Sequence, residues 1–160
     1  MLPRRRAVAL VALASAALPA SAGGSDAEAE LSAVRDLRDL AGQIRRSGQP
    51  ALLLFSTPGC AYCAEVRRGY LRPRLAGAAV SGPLIREISI VGRKPIVDLD
   101  GAATSGAALA QRFGVRVVPV VHLVDDRMMP LVEPLVGLNA AFYETYLDER
   151  IAEARARLRR

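Results

Sequence analysis

Both cysteines of the chain fall in one short segment, Ser56-Thr57-Pro58-Gly59-Cys60-Ala61-Tyr62-Cys63. No disulfide within the chain can therefore staple distant parts together, and the fold has to stand on an apolar core. The chain has 160 residues, 51% of them hydrophobic, which suits one domain with a real interior. Ahead of the cysteines, Pro50-Ala51-Leu52-Leu53-Leu54-Phe55 has the length and flanks of a buried strand over 51–56. Behind them, Ala64 to Leu71 mixes apolar and charged residues at near-helical spacing, and Pro73 ends the run. The two thiols then sit at the first turn of a helix, where unpaired amides and the helix dipole favour a thiolate. Cys60 is the better placed of the two. Three residues apart, the sulfurs share one face of a helical turn and can close a small ring. Such a ring constrains almost nothing in the unfolded chain, so reversible redox work is the economical reading.

The first residues stand apart. Arg4-Arg5-Arg6 form a basic lead, Ala7 to Leu18 an apolar stretch, and Ala20-Ser21-Ala22 fits a small-residue cleavage pattern. The expected organisation is a signal peptide over 1–22, a flexible lead-in over 23–29 and one domain over 30–160. The apolar stretch is short of the roughly 20 residues that span a bilayer. Cleavage after Ala22 removes three arginines and no acid, lowering the formal charge from +6 to +3. Much of the remaining positive charge lies in Arg150, Arg155, Arg157, Arg159 and Arg160, a solvated helix end without interleaved aromatics. That pattern argues against a nucleic-acid partner. Export to an oxidising compartment means that some partner must keep the C-x-x-C pair in its working redox state.

Along the mature chain, Leu31, Val34, Leu37, Leu40, Ala41 and Ile44 recur at helical steps, predicting a helix from Glu30 to Arg46. Pro83 to Ile90 reads as a strand. Val91 to Gly106 reads as a long loop with a short extra strand, and loops of this length are often functional. Ser105 to Phe113 reads as a short helix stopped by Gly114. Val115 to Val124 is strand-like with a proline near its entrance. Asp125-Asp126-Arg127 makes a turn, and Met129 to Val136 returns as a second strand. Asn139 is expected to cap a last helix over Ala140 to Leu158, with Phe142, Tyr143, Tyr146, Leu147 and Ile151 as its apolar face.

This order, together with three signatures, resembles the thioredoxin superfamily. The signatures are Cys60-Ala61-Tyr62-Cys63 after the first core strand, Gln111 to Pro119, and Val136-Gly137-Leu138-Asn139 ahead of the last helix. The resemblance implies an α/β thioredoxin-like fold, a central mixed sheet of about four strands with helices on both faces. It implies that Cys60 attacks, that Cys63 resolves, and that Pro119 is cis and packs opposite the pair, with Val118 offering main-chain groups to an extended substrate. Tyr62 is placed to touch that substrate. Two positions depart from the family pattern: Gly59 stands where it carries a tryptophan, and Leu54 where it buries an acid. Glu65 and Glu87 are weak substitutes for that acid, and Arg67 and Arg68 read as a solvated face.

The expected activity is that of a periplasmic thiol–disulfide oxidoreductase, a reductase of protein disulfides, monomeric and fed by a membrane electron donor. Its chemistry needs no cofactor beyond the Cys60–Cys63 disulfide and no metal. The reductase direction is what the resemblance implies, since a monomer-sized domain without a dimerisation module or the large helical insertion of the oxidising members most resembles the reductants. The alternative is a periplasmic module that carries copper or another thiophilic metal on Cys60, Cys63 and His122.

Overall fold

The computed structural model describes residues 31–75 and 82–160. The expected signal peptide and lead-in fall outside the described residues. In chain order the elements are α1 (Leu37–Ser47), β1 (Ala51–Ser56), α2 (Ala61–Glu65) running on into a π-helical turn (Val66–Leu71), β2 (Leu84–Ser89), β3 (Ile96–Val97) and β4 (Ala103–Thr104). Then come α3 (Gly106–Arg112), β5 (Val120–Val124), β6 (Leu135–Val136) and α4 (Tyr143–Leu158). Among the described residues no helix is long and apolar enough to cross a membrane.

The unbroken apolar run of β1 becomes the middle of the main sheet, and all six of its residues are buried. The strand order is β2-β1-β5-β6, with β1 parallel to β2 and antiparallel to β5. The helical crossover between β1 and β2 is what permits their parallel pairing. Side-chain alternation then splits the core in two. Leu53 and Phe55 pack with Leu37, Leu40, Ile44 and Leu109 of α1 and α3. Leu52 and Leu54 pack on the other face with Val66, Leu71, Leu147 and Ile151. The result is the thioredoxin-like α/β layering, a mixed four-stranded sheet with helices on both faces.

Several elements differ from the sequence reading. The first helix begins at Leu37, not Glu30, because Asp36 caps it, its carboxylate accepting the Arg38 and Asp39 amides. Residues 32–36 are instead extended. The Glu87 amide donates to the Ser32 carbonyl, the Val34 amide to Glu87, and the Val97 amide to Arg35. The loop after β2 holds two short strands, β3 and β4, paired antiparallel. The returning strand shrinks from Met129–Val136 to β6, because Pro130 and Pro134 have no amide to give a ladder. Only a bridge between Val124 and Pro130 and the two β6 pairs remain. The last helix starts at Tyr143, and Asn139 does not cap it: the Asn139 carbonyl accepts the Phe142 amide in a preceding turn. Its buried face is Tyr143, Leu147, Ile151 and Ala154, whereas Phe142 and Tyr146 are exposed.

Candidate active site

The turn that carries the cysteines is built at Gly59, whose φ of 75° suits a residue without a Cβ. It delivers Cys60 in extended conformation to the cap position of α2, where its Sγ accepts the Cys63 amide at 3.1 Å. A hydrogen bond to sulfur from a main-chain amide favours the thiolate over the thiol once the pair is reduced. Cys60 and Cys63 form a disulfide with their Cα atoms 5.2 Å apart. Cys63 is fully buried and Cys60 half-buried, so an incoming group meets Cys60. Tyr62, between them, is 64% exposed.

The second segment of the site comes from the other side of β1. The Val118–Pro119 peptide is cis, and the Pro119 carbonyl accepts the Gly137 amide at 2.8 Å. Because Phe55 pairs with Val120, Pro119 lies level with Ser56, where the chain leaves β1 for the cysteine turn. Val118 is half-buried and Val117 exposed. Cys60, Cys63, Val118 and Pro119 thus gather at one end of the sheet, and Tyr62 stands on the surface there.

His122 is not brought to the cysteines. It belongs to the opposite face of the sheet, buried between the rings of Phe55 and Phe113 at centroid distances of 5.8 and 5.0 Å. The three-ligand set of the metal-carrying alternative is therefore not assembled. Among the described residues no group of three or more His, Cys, Asp and Glu side chains is arranged to hold a metal ion. Burial lowers the pKa of His122 from its usual 6.5, a hydrogen bond with the Phe113 main chain working weakly the other way. The unfolded chain consequently binds a proton at His122 before the folded one does. Stability contributed by keeping this imidazole neutral is complete above about pH 6.5 and declines as the pH falls through that value toward the lowered one. Urea titrations at pH 7.5 and 5.0 should show the loss, and His122→Leu should flatten it. A wild-type midpoint that does not move between these two conditions contradicts the assignment. Asp36 and Asp98 do not blur this window. Asp36 is held at about 2 by its bond from Arg38, and Asp98 below its usual 3.8 by Arg112. Their contributions persist until more acid solution.

Glu87 and Arg67 belong to the site in a way that the sequence pattern does not record. Glu87 stands on β2 in register with Leu54, facing the cysteine helix. Its Oε1 accepts the Ser56 hydroxyl and Arg67 Nη2, both at 2.5 Å, and its Oε2 accepts Arg67 Nε at 3.0 Å. Arg67 is thus turned in to the sheet and is not part of a solvated face, while Glu65 and Arg68 are exposed. These three side chains form the floor of a cavity of about 560 Å³ that Cys60 also lines. The sequence hint is a charged pair, Arg86-Glu87, in the middle of a short strand with apolar neighbours on either side.

No family model and no curated protein matches the chain. Solved structures similar to it include a thioredoxin from Nicotiana alata, 19% identical, which covers 83% of this chain and 99% of its own with a TM-score of 0.49. The oxidised C-terminal domain of DsbD from Neisseria meningitidis is 18% identical over 74% of this chain and 99% of its own, with a TM-score of 0.49. A mutant thioredoxin from Halobacterium salinarum is 22% identical over 83% of this chain and 96% of its own, with a TM-score of 0.48. At these values the functional argument stands on the chain's own site geometry.

Proposed function

We propose that the chain is an exported thiol–disulfide oxidoreductase that reduces protein disulfides in the periplasm. The observation that carries this reading is the pairing of an accessible Cys60, with an amide directed at its sulfur, to a buried Cys63 within disulfide reach. In the reduced protein the Cys60 thiolate attacks one sulfur of a target disulfide, and the other target sulfur leaves as a thiolate that takes a proton from solvent. Cys63 then attacks Cys60 Sγ, releases the second target sulfur and regenerates the internal disulfide, so two electrons pass from the pair to the target. The exposed main chain before Pro119 gives an extended target segment something to hydrogen-bond alongside Cys60. Tyr62 offers it an aromatic surface. Export is supported by the basic, apolar and small-residue succession of residues 1–22. A compartment that oxidises thiols calls for a membrane partner to return the pair to its dithiol. The domain works as a monomer.

The test is reduction of insulin by the dithiol form, together with the redox state of the pair in intact cells. Insulin reduction and a largely reduced pair support the proposal. A pair that is largely oxidised in cells overturns the reductase direction.

A further inference from the structure

The end of the sheet away from the cysteines gathers arginines from three distant segments. β1 runs from Ala51 to Ser56 and the cysteine turn follows Ser56, so Ala51 marks the opposite end. α1 stops shortly before β1 and carries Arg45 and Arg46 in its last turn. β5 ends at Val124, paired with Ala51, and the turn after it presents Arg127. The end of α4 brings Arg155, Arg157, Arg159 and Arg160 to the same place. There Arg155 Nε donates to Gln49 Oε1 at 2.9 Å, and Leu158 packs on the core cluster that holds Ile44 and Val124.

These charges are not cancelled locally. The acids facing them among the described residues are Asp125, Asp126 and Glu153. Asp126 meets Arg45 at 3.4 Å, and Glu153 is shared by Arg150 and Arg157. The Asp125 carboxylate accepts the Arg127 and Met129 amides of its own turn. Arg46, Arg127, Arg159 and Arg160 are exposed and make no ion pair with any described residue. The cations stay in excess even with a carboxylate at Arg160 counted against them. The exposed aromatics able to stack on bases, Tyr62, Phe142 and Tyr146, stand at the starts of α2 and α4, toward the cysteine end. What stands beside Arg127 instead is Met129, an apolar side chain 59% exposed. Cations spread over an end face around an exposed apolar side chain match the boundary of a bilayer, where phosphates lie over acyl chains.

We propose that this end of the molecule docks on an anionic lipid surface, with the guanidiniums of α1, the 125–129 turn and α4 at the lipid phosphates and Met129 at the headgroup boundary. The inference does not rest on the exchange chemistry proposed above. β1 alone spans about 17 Å, twice the roughly 8 Å over which salt screens a charge. Docking therefore leaves Cys60 facing away from the lipid and outside the reach of its phosphates.

The experiment is co-sedimentation of the full chain with vesicles of phosphatidylcholine containing phosphatidylglycerol, and with phosphatidylcholine alone. Whatever residues 1–22 contribute is then common to every variant. The expected result is binding to the anionic vesicles that weakens as salt rises. Each basic residue at such a surface strengthens binding about fivefold. A chain with Arg46→Gln, Arg127→Gln, Arg159→Gln and Arg160→Gln together should therefore bind roughly a hundredfold more weakly. The control carries Arg35→Gln, Arg68→Gln, Arg93→Gln and Lys94→Gln, which remove the same charge from exposed positions elsewhere, and it should keep most of the binding. All eight side chains are exposed, so folding is not at stake. In reduced protein on the vesicles, a water-soluble maleimide should label Cys60 as fast as in solution. Equal loss in the two variants overturns the proposal, because net charge then suffices. Equal binding to neutral vesicles, or none to either, overturns it as well. Tighter binding to poly-glutamate or duplex DNA than to the anionic vesicles at the same salt overturns the choice of lipid, and protection of Cys60 overturns the orientation.

Discussion

In a Cys63→Ala variant, Cys60 is expected to hold its target as a mixed disulfide that does not resolve, whereas Cys60→Ser forms no such adduct. The asymmetry follows from burial. Cys63 has no exposed surface, and Cys60 is half-buried with the Cys63 amide directed at its sulfur. An approaching disulfide therefore encounters one sulfur and not the other. Loss of the nucleophile removes the covalent route altogether, a decrease on the order of a thousandfold or more in turnover. Loss of the resolving cysteine leaves the first step intact and blocks the second. The measurement is the mass of adducts captured from a cell extract with Cys63→Ala, set beside insulin reduction by all three forms. Adducts retained by Cys60→Ser, or equal reduction by Cys60→Ser and wild type, would reverse the assignment of roles.

Gly106→Ala is expected to be the most damaging single-methyl addition among the described glycines. Replacing glycine by alanine in a helix ordinarily gains about 1 kcal/mol. At Gly106, the first residue of α3, a Cβ would stand 1.9 Å from the Ser89 carbonyl oxygen and 2.9 Å from its carbon. Neither atom belongs to a side chain that can swing away, so α3 and the end of β2 must separate. Overpacking of this kind costs about 1–3 kcal/mol or more, which exceeds the helical gain. Ser89 also lines the cavity beside Cys60, so the displacement reaches the site. Gly69→Ala is the control. Its Cβ would meet nothing within 4 Å, and the change should be neutral or stabilising. Urea denaturation of the two variants should shift the midpoint in opposite directions, or down for Gly106→Ala only. A Gly106→Ala protein as stable as wild type would mean that α3 does not pack this tightly on β2.

Which parts of this molecule are legible in the sequence depends on how far apart the interacting residues lie. The apolar run at 51–56 declares a buried strand, and the cysteines that follow it declare the redox pair, because both rest on neighbours along the chain. The start of the first helix is misleading for an instructive reason. Leu31 and Val34 are three residues apart, as on a helix, yet they pack in different halves of the core. In extended chain a step of three turns a side chain to the other face, and the cap at Asp36 is the better guide to where the helix starts. The returning strand looks longer in the sequence than it is because its apolar content outweighs two prolines. Glu87 is the residue hardest to place. Its value comes from Ser56, 31 residues earlier, and from Arg67, 20 residues earlier, and no local pattern records such a meeting. His122 looks like a metal ligand by residue type, and only the sheet register puts it against Phe55 and Phe113.

The extended segment at 32–36 has a consequence for how the molecule behaves in a crowd. A strand at the rim of a sheet exposes a row of amides and carbonyls that invites a strand from another copy, the first step of edge-to-edge aggregation. Here the rim beyond β2 is closed in two stages. Ser32 and Val34 take the main-chain groups of Glu87, and Arg35 and Asp36 in turn engage Val97 of the β3–β4 hairpin. The excursion from Val91 to Gly106 thus serves as a blunt hem on the sheet. That rim of the sheet is thereby withdrawn from strand pairing with other chains.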